Sequence, residues 1–388
     1  MMKSILDNDL YKLTMQQAVC QNYPRAWAKY EFVNRGGTKF PEGFSKALYS
    51  AISEMTTMSL SKEEKEWLQN TCPFLTPVYL DFLRGYHFDP AEVQVSNEEG
   101  NLRVKIIGPW YRTILWEVPL MAAISELYFR LTGQKGNDSL WRHNHNMEKA
   151  AELEGMNAKF ADFGTRRRYS FENHDRVVEE MKRYAPKGFI GSSNVYLAKK
   201  HGVKPIGTMA HEWIMAHAAM YGFEEANRAA MEQWLNIYGG SLGIALTDTF
   251  TTLVFLESFG PKLARLFDGV RQDSGEPLNF IDMMERHYKA LGIPLNSKTL
   301  IFSDALNVDR VRTILKYCDR KGAKASFGIG TNLTNDVGVE PLNIVIKMFS
   351  FMPQWRDWTP TIKLSDDRGK HTGDEKMLQL CQETLNLA

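Results

Sequence analysis

Cysteine is scarce in this chain of 388 residues: the four present, Cys20, Cys72, Cys318 and Cys381, form no CxxC pair and no close Cys/His grouping. Such scatter excludes a zinc-finger spacing and a disulfide-stapled scaffold, and it fits a reducing, cytoplasmic setting. Long hydrophobic runs are missing too. The most apolar stretch, ILWEVPLMAAISELYF, is broken by two glutamates and a proline, and the opening MMKSILDNDLYK turns acidic before an apolar signal region develops. Neither a transmembrane helix nor a signal peptide is expected. Charge of one sign is also lacking, since 47 Lys plus Arg against 46 Asp plus Glu leave a formal +1. That balance gives no footprint for nucleic acid or a membrane surface, so any polyanion must be held by local clusters.

What is present is the composition of an ordinary enzyme, 44% hydrophobic and 24% charged, in a chain longer than a single core supports. The pattern predicts two domains. Residues 1–118 read as a smaller α+β sandwich, with AKYEFVNR as a strand and VQVSNEEGNLRVKIIG as a hairpin, rejoined by a helical C-terminal tail at 366–388. Residues 119–365 open with helices to about Asn157. Eight apolar runs follow, KFADFGTRR, GFIGSSN, KPIGTMAH, GIALTDTF, FDGVRQDSG, TLIFSDAL, ASFGIGT and NIVIKM, alternating with helical stretches. This rhythm implies βαβ units closing into an α/β fold, an irregular parallel α/β barrel of the TIM type.

In such a barrel the carboxyl ends of the strands converge on one face, where ligands bind. Those ends carry Arg166, Arg167, Ser192, Thr208, His211, Asp248, Arg271, Asp273, Asp304 and Thr331, the groups that handle phosphates and magnesium. Of the three arginines in GTRRR, one or two can face the mouth, because three adjacent cations cannot all point inward. SFGIGT, with Gly330 and Thr331, is either a phosphate cradle of backbone amides or a plain tight turn. Asp248, Asp273 and Asp304 either surround magnesium and ribose hydroxyls or cap helices; a complete protein cage for magnesium is not expected. His211 is open between general base, metal ligand, phosphate acceptor and hydrogen-bonded core histidine. Tyr11, beside Asp7 and Asp9, is open between packing and a site role.

Taken in order, DNDLYKLTMQQAV, GPWYRTILWEVPLMAAISEL, FADFGTRRR, GTMAHEW, LTDTF, RQDSGEP and SFGIGT make a chain that resembles the nicotinate phosphoribosyltransferases of the bacterial type over nearly its whole length. The resemblance implies a type II phosphoribosyltransferase fold and a homodimer. It also implies ATP-coupled synthesis of nicotinate mononucleotide from nicotinate and 5-phosphoribosyl 1-pyrophosphate in NAD salvage, with Mg2+ accompanying the substrate phosphates. By the same likeness His211 becomes a phosphohistidine and forms the catalytic set with Arg166 and Asp248. Thr208 lies near nicotinate, Arg271 meets its ring or carboxylate, and Arg166, Gly330 and Thr331 hold phosphates. Arg167, Ser192, Asp273 and Asp304 complete the substrate-binding set. Tyr11 is expected to enter a neighbouring subunit's site and stack opposite Phe163, which would make the sites shared. Where nicotinamide-specific cousins carry an aspartate, this chain has Ser193, which would not repel a pyridine carboxylate. Two rivals stand beside this reading: a phosphate-binding aldolase or isomerase using Lys347 as a Schiff base, and a non-catalytic nucleotide sensor.

Overall fold

A computed structural model describes residues 2–387. In chain order its strands are β1 (Trp27–Asn34), β2 (Val93–Glu98), β3 (Asn101–Pro109), β4 (Phe160–Asp162), β5 (Phe189–Ser192), β6 (Ile244–Leu246), β7 (Gly269–Gln272), β8 (Thr299–Phe302), β9 (Lys324–Ile329), β10 (Ile344–Met352) and β11 (Thr359–Pro360). They form two sheets, one antiparallel in the order β11-β10-β1-β3-β2 and one parallel in the order β5-β4-β9-β8-β7-β6.

The hairpin expected near residue 100 is present. Glu98 pairs with Asn101, and the two turn residues Glu99 and Gly100 both take positive φ, at 50° and 78°. A two-residue turn of that hand matches the twist of the strands it joins. The helices expected after Pro119 span Glu117–Thr132 (α1) and Ser139–Gly155 (α2).

Two expectations are corrected. The run NIVIKM is not a barrel strand: β10 pairs antiparallel with β1, from Trp27↔Met352 to Asn34↔Ile344, so this part of residues 119–365 belongs to the sandwich sheet. Its alternation, with Ile344, Ile346 and Met348 buried and Val345 and Lys347 less so, is that of a strand covered on one face. The tail also lies elsewhere than expected. Its helix Glu375–Thr384 packs against the barrel-side helix Phe223–Tyr238, and the strap before it crosses the mouth of the parallel sheet, where Leu364 N–H donates to Thr249 O at 2.9 Å.

Of the other runs, six supply the parallel strands, while KPIGTMAH contributes a single bridge, Ser192↔Pro205. The segment then crosses to the far edge, where the Thr208 hydroxyl donates to Ile244 O at 3.3 Å. The sheet thus curls until its edges nearly meet, an irregular barrel with a side-chain contact at one seam. No helix among the described residues is long and apolar enough to cross a membrane.

Candidate active site

At the mouth of the parallel sheet, connected chambers meet. One, largely apolar, is walled by Asp9, Tyr11, Phe163, Ser193, Thr208 and Ile301. A second holds Arg167, Ser303, Gly330 and Thr331, and a third has His211, Glu212, Met215 and Lys347. The fourth is an open basin with about 1110 Å³ of empty space, lined by Arg35, Asp304, Lys363 and Lys370. Arg166 lines every one of them and Arg271 lines the first three, so the chambers form one branched cavity. The sequence-predicted residues therefore converge, with two qualifications. Ser192 is buried away from the cavity, its hydroxyl donating to Asp162 at 2.6 Å. Asp248 stands behind the wall, holding His211.

The three arginines part company. Arg166 and Arg167 face the cavity. Arg168 turns inward, 1% exposed, with Nη1 and Nη2 on the two carboxylate oxygens of Asp7 at 2.7 and 2.9 Å. Arg168 is therefore structural. Replacing it with alanine strands a buried Asp7 and should cost about 3–5 kcal/mol, read by urea unfolding; a loss below 1 kcal/mol would contradict this placement.

Phe163 owes its position to a glycine. A Cβ on Gly328 would lie 2.3 Å from the Phe163 ring, so only a bare backbone on β9 leaves the ring room to approach the strand. The two glycines of SFGIGT thus divide their work: Gly328 seats the aromatic wall, and Gly330 lines the second chamber.

Charge in the cavity is organised around a buried line that sequence reading missed. Lys12, fully buried, sits 2.6 Å from Glu117 Oε2 and 2.7 Å from Glu212 Oε2, and Arg166 reaches Glu117 Oε1 at 3.2 Å. Burial opposes charge on both partners, but the neighbouring carboxylates hold the Lys12 pKa above its usual value, and Lys12, Arg166 and Lys347 hold Glu117 below its own. Toward the basin cations predominate. Burial, with Arg166 and Arg35 nearby, lowers Arg167 to about 10. Burial lowers Lys347 to about 8, with Glu117 only partly restoring it against Lys363 and Arg166. Cations that depress one another are stabilised by accepting an anion.

His211 opens the helix His211–Tyr221 (α3) and is 5% exposed. Its Nε2 lies 3.0 Å from Asp248 Oδ1 and 3.7 Å from Asp273 Oδ2. Burial, then the Lys363 charge, lower its pKa to about 4 against the pull of Asp248. A neutral ring donating Nε2–H to Asp248 carries its free lone pair on Nδ1. A buried histidine oriented by a carboxylate at the wall of a cation-rich cavity has the design of an activated nucleophile.

With this geometry in place, similarity to known proteins becomes informative. Residues 158–388 match the model of the nicotinate phosphoribosyltransferase (NAPRTase) family, and residues 6–125 match the N-terminal domain of the same family. The chain belongs to the nicotinate phosphoribosyltransferase family. It is 50% identical to the nicotinate phosphoribosyltransferase of Chromohalobacter salexigens over 388 residues, covering 100% of this chain and 99% of the relative. With that of Desulforapulum autotrophicum it shares 52% identity, covering 99% of each. The crystal structure of nicotinate phosphoribosyltransferase from Porphyromonas gingivalis superimposes with a TM-score of 0.97 at 45% identity and full coverage of both chains.

Tyr11 lines the cavity of its own chain, together with Phe163 and Arg166, because its flanking residue Asp9 accepts from Thr165 and Ser193 of the same chain at 2.7 and 2.8 Å. Lys12 and Glu117 gave no sequence signal beyond lying in the family motifs, and Lys363 gave none at all, since a single charged residue in a run shows its burial only after folding.

Proposed function

We propose that the chain joins nicotinate to the ribose of 5-phosphoribosyl 1-pyrophosphate and couples the reaction to ATP by transient phosphorylation of His211. The observation that carries this reading is the pairing of His211 with Asp248 at 3.0 Å on the wall of a cavity rich in cations. With Nε2–H committed to Asp248, Nδ1 attacks the γ-phosphorus of ATP. The Nδ1–P bond forms, the bond to the bridging oxygen breaks, and ADP leaves with that electron pair. Water later cleaves the N–P bond and restores the imidazole.

The transfer step uses the other chambers. The flat, largely apolar one between Tyr11 and Phe163 suits the pyridine ring, with Arg271 beside it for the carboxylate and the Gly330–Thr331 turn for the 5′-phosphate. The ring nitrogen attacks the anomeric carbon with its own lone pair and has no proton to lose, so no base is required. Rate then comes from alignment and from Arg166 meeting the charge that develops on departing pyrophosphate.

The residues do not make a resident magnesium site. His211, Asp248 and Asp273 place donor atoms within 4.8 Å of one another. However, Asp248 is occupied by His211, Ser274 and Lys363, Asp273 accepts from Ser303 at 2.7 Å, and Asp304 pairs with Lys370. A hard cation needs open oxygens, so we assign Mg2+ to the substrate polyphosphates as their counter-ion.

Two measurements test the reading separately. Pyrophosphate release with nicotinate and phosphoribosyl pyrophosphate tests the transfer, and acid-labile label from γ-labelled ATP tests the coupling; absence of either sinks the corresponding half. Specificity has its own test. Ser193 lines the aromatic chamber and donates to Asp9, so Ser193→Asp should place a second carboxylate there and lower kcat/KM for nicotinate by roughly tenfold to a hundredfold, on the scale of one close charge pair. An unchanged nicotinate KM would remove this position from the ring pocket. A homodimer is retained as a proposal, to be checked by sedimentation.

A further inference from the structure

Behind His211 lies a cation for which the reaction above has no use. Lys363 is 5% exposed, and its Nζ lies 3.0 Å from Asp248 Oδ2, the oxygen that also accepts from the Ser274 hydroxyl at 2.5 Å. The opposite oxygen, Oδ1, holds His211. Lys363 comes from the C-terminal strap, more than a hundred residues away in sequence, and the strap is tied to the barrel mouth independently of that ammonium. Leu364 N–H donates to Thr249 O at 2.9 Å, Thr252 N–H and Oγ1–H donate to Asp366 at 2.7 and 2.5 Å, and Asp366 N–H donates to Ser274 Oγ at 3.0 Å.

We propose that Lys363 is a positioning residue for His211, acting through Asp248. A buried carboxylate with one hydrogen bond to imidazole tends to draw a proton onto the ring and settle as an ion pair. An imidazolium has no lone pair and cannot accept a phosphoryl group. With Lys363 and Ser274 compensating Oδ2, Asp248 has its charge balanced from the other side. It then needs from His211 only the Nε2–H bond, and the ring stays neutral with Nδ1 free. Placing the cation on the far oxygen lets one carboxylate orient the ring without charging it. The groups facing His211 are Asp248, Asp273 and Lys363, with Glu212 next to it on α3 and Arg166, Arg271 and Lys347 across the chamber. Among these Lys363 is the cation in contact with the orienting carboxylate. The proposal concerns the state of the ring and rests on the phosphorylation reading only for its purpose.

The test is a titration of 15N-histidine-labelled enzyme by NMR, with the His211 signal assigned from a His211→Gln spectrum. Lys363→Met keeps length and removes charge. It should raise the His211 midpoint by about one pH unit or more, a roughly tenfold larger protonated fraction at a given pH. Lys363→Arg should keep the midpoint low, and Ser274→Ala should raise it in the same direction. ADP formation by Lys363→Met should fall about twofold relative to wild type near pH 5, the raised midpoint, and recover by about pH 7 as the ring loses its proton, a recovery that structural damage would not give. An unmoved midpoint in folded Lys363→Met overturns the proposal, and so does failure of Lys363→Arg to hold it. Should the methionine variant not fold, the arginine and Ser274→Ala titrations decide by the same criteria. A wild type that forms no phosphoenzyme would defeat the coupling reading while leaving these midpoints to judge Lys363.

Discussion

His211→Ala is expected to reduce ATP consumption by roughly 10⁴-fold or more, as for loss of a covalent nucleophile, while slow, ATP-independent formation of nicotinate mononucleotide persists. The division follows from the layout of the cavity. His211 lines the chamber shared with Glu212 and Lys347, whereas the aromatic chamber and the Gly330–Thr331 chamber are built without it. Removing the imidazole leaves the ring pocket, the phosphate turn and Arg166 in place. Phosphate release and pyrophosphate release, measured on the same sample, separate the two activities; parallel loss of both in a folded variant would refute the division. The pH dependence adds a second check. Burial, with Lys363 second, puts the His211 pKa at about 4, so acidification toward about pH 5.5 should leave phosphorylation without the inflection that a histidine of ordinary pKa near 6.5 would impose.

Arg166→Ala should lower kcat/KM for phosphoribosyl transfer by about 10²–10³-fold, the scale of removing one preorganised donor from developing negative charge. Arg166 is the side chain common to every chamber of the cavity, and it counters Glu117, which would otherwise face the polyanion. Arg166→Lys should recover only part of the activity, because an ammonium cannot reproduce a two-pronged contact. Thermal unfolding should change little, in contrast to Arg168→Ala two residues away. Steady-state kinetics on both variants, beside their melting curves, check this, and a loss smaller than tenfold would place Arg166 outside the transition state.

Much of this site was legible before folding was considered. Strand ends in a βαβ succession must face one way, so Arg166, Arg271, Asp273 and Thr331 could be placed together from rhythm alone. The same logic fails for NIVIKM, a short apolar run that reads as a barrel strand by its place in the rhythm although its alternation, with Lys347 at one of the less buried positions, is that of a strand covered on one side. It also failed for Ser192, because a one-residue shift along β5 exchanges a buried hydrogen bond to Asp162 for the cavity wall occupied by Ser193.

By itself the sequence determined the kinds of group available and their order: alternating strands and helices, glycines where a ring or a phosphate needs bare backbone, arginines and carboxylates at strand ends. These properties are local, set by side-chain chemistry and by the periods of strand and helix. Only the tertiary structure decided which charges became buried partners, as with Lys12 between Glu117 and Glu212, Arg168 on Asp7, and Lys363 behind Asp248. A charge's worth depends on what the fold removes from water beside it, and those neighbours come from segments up to two hundred residues apart.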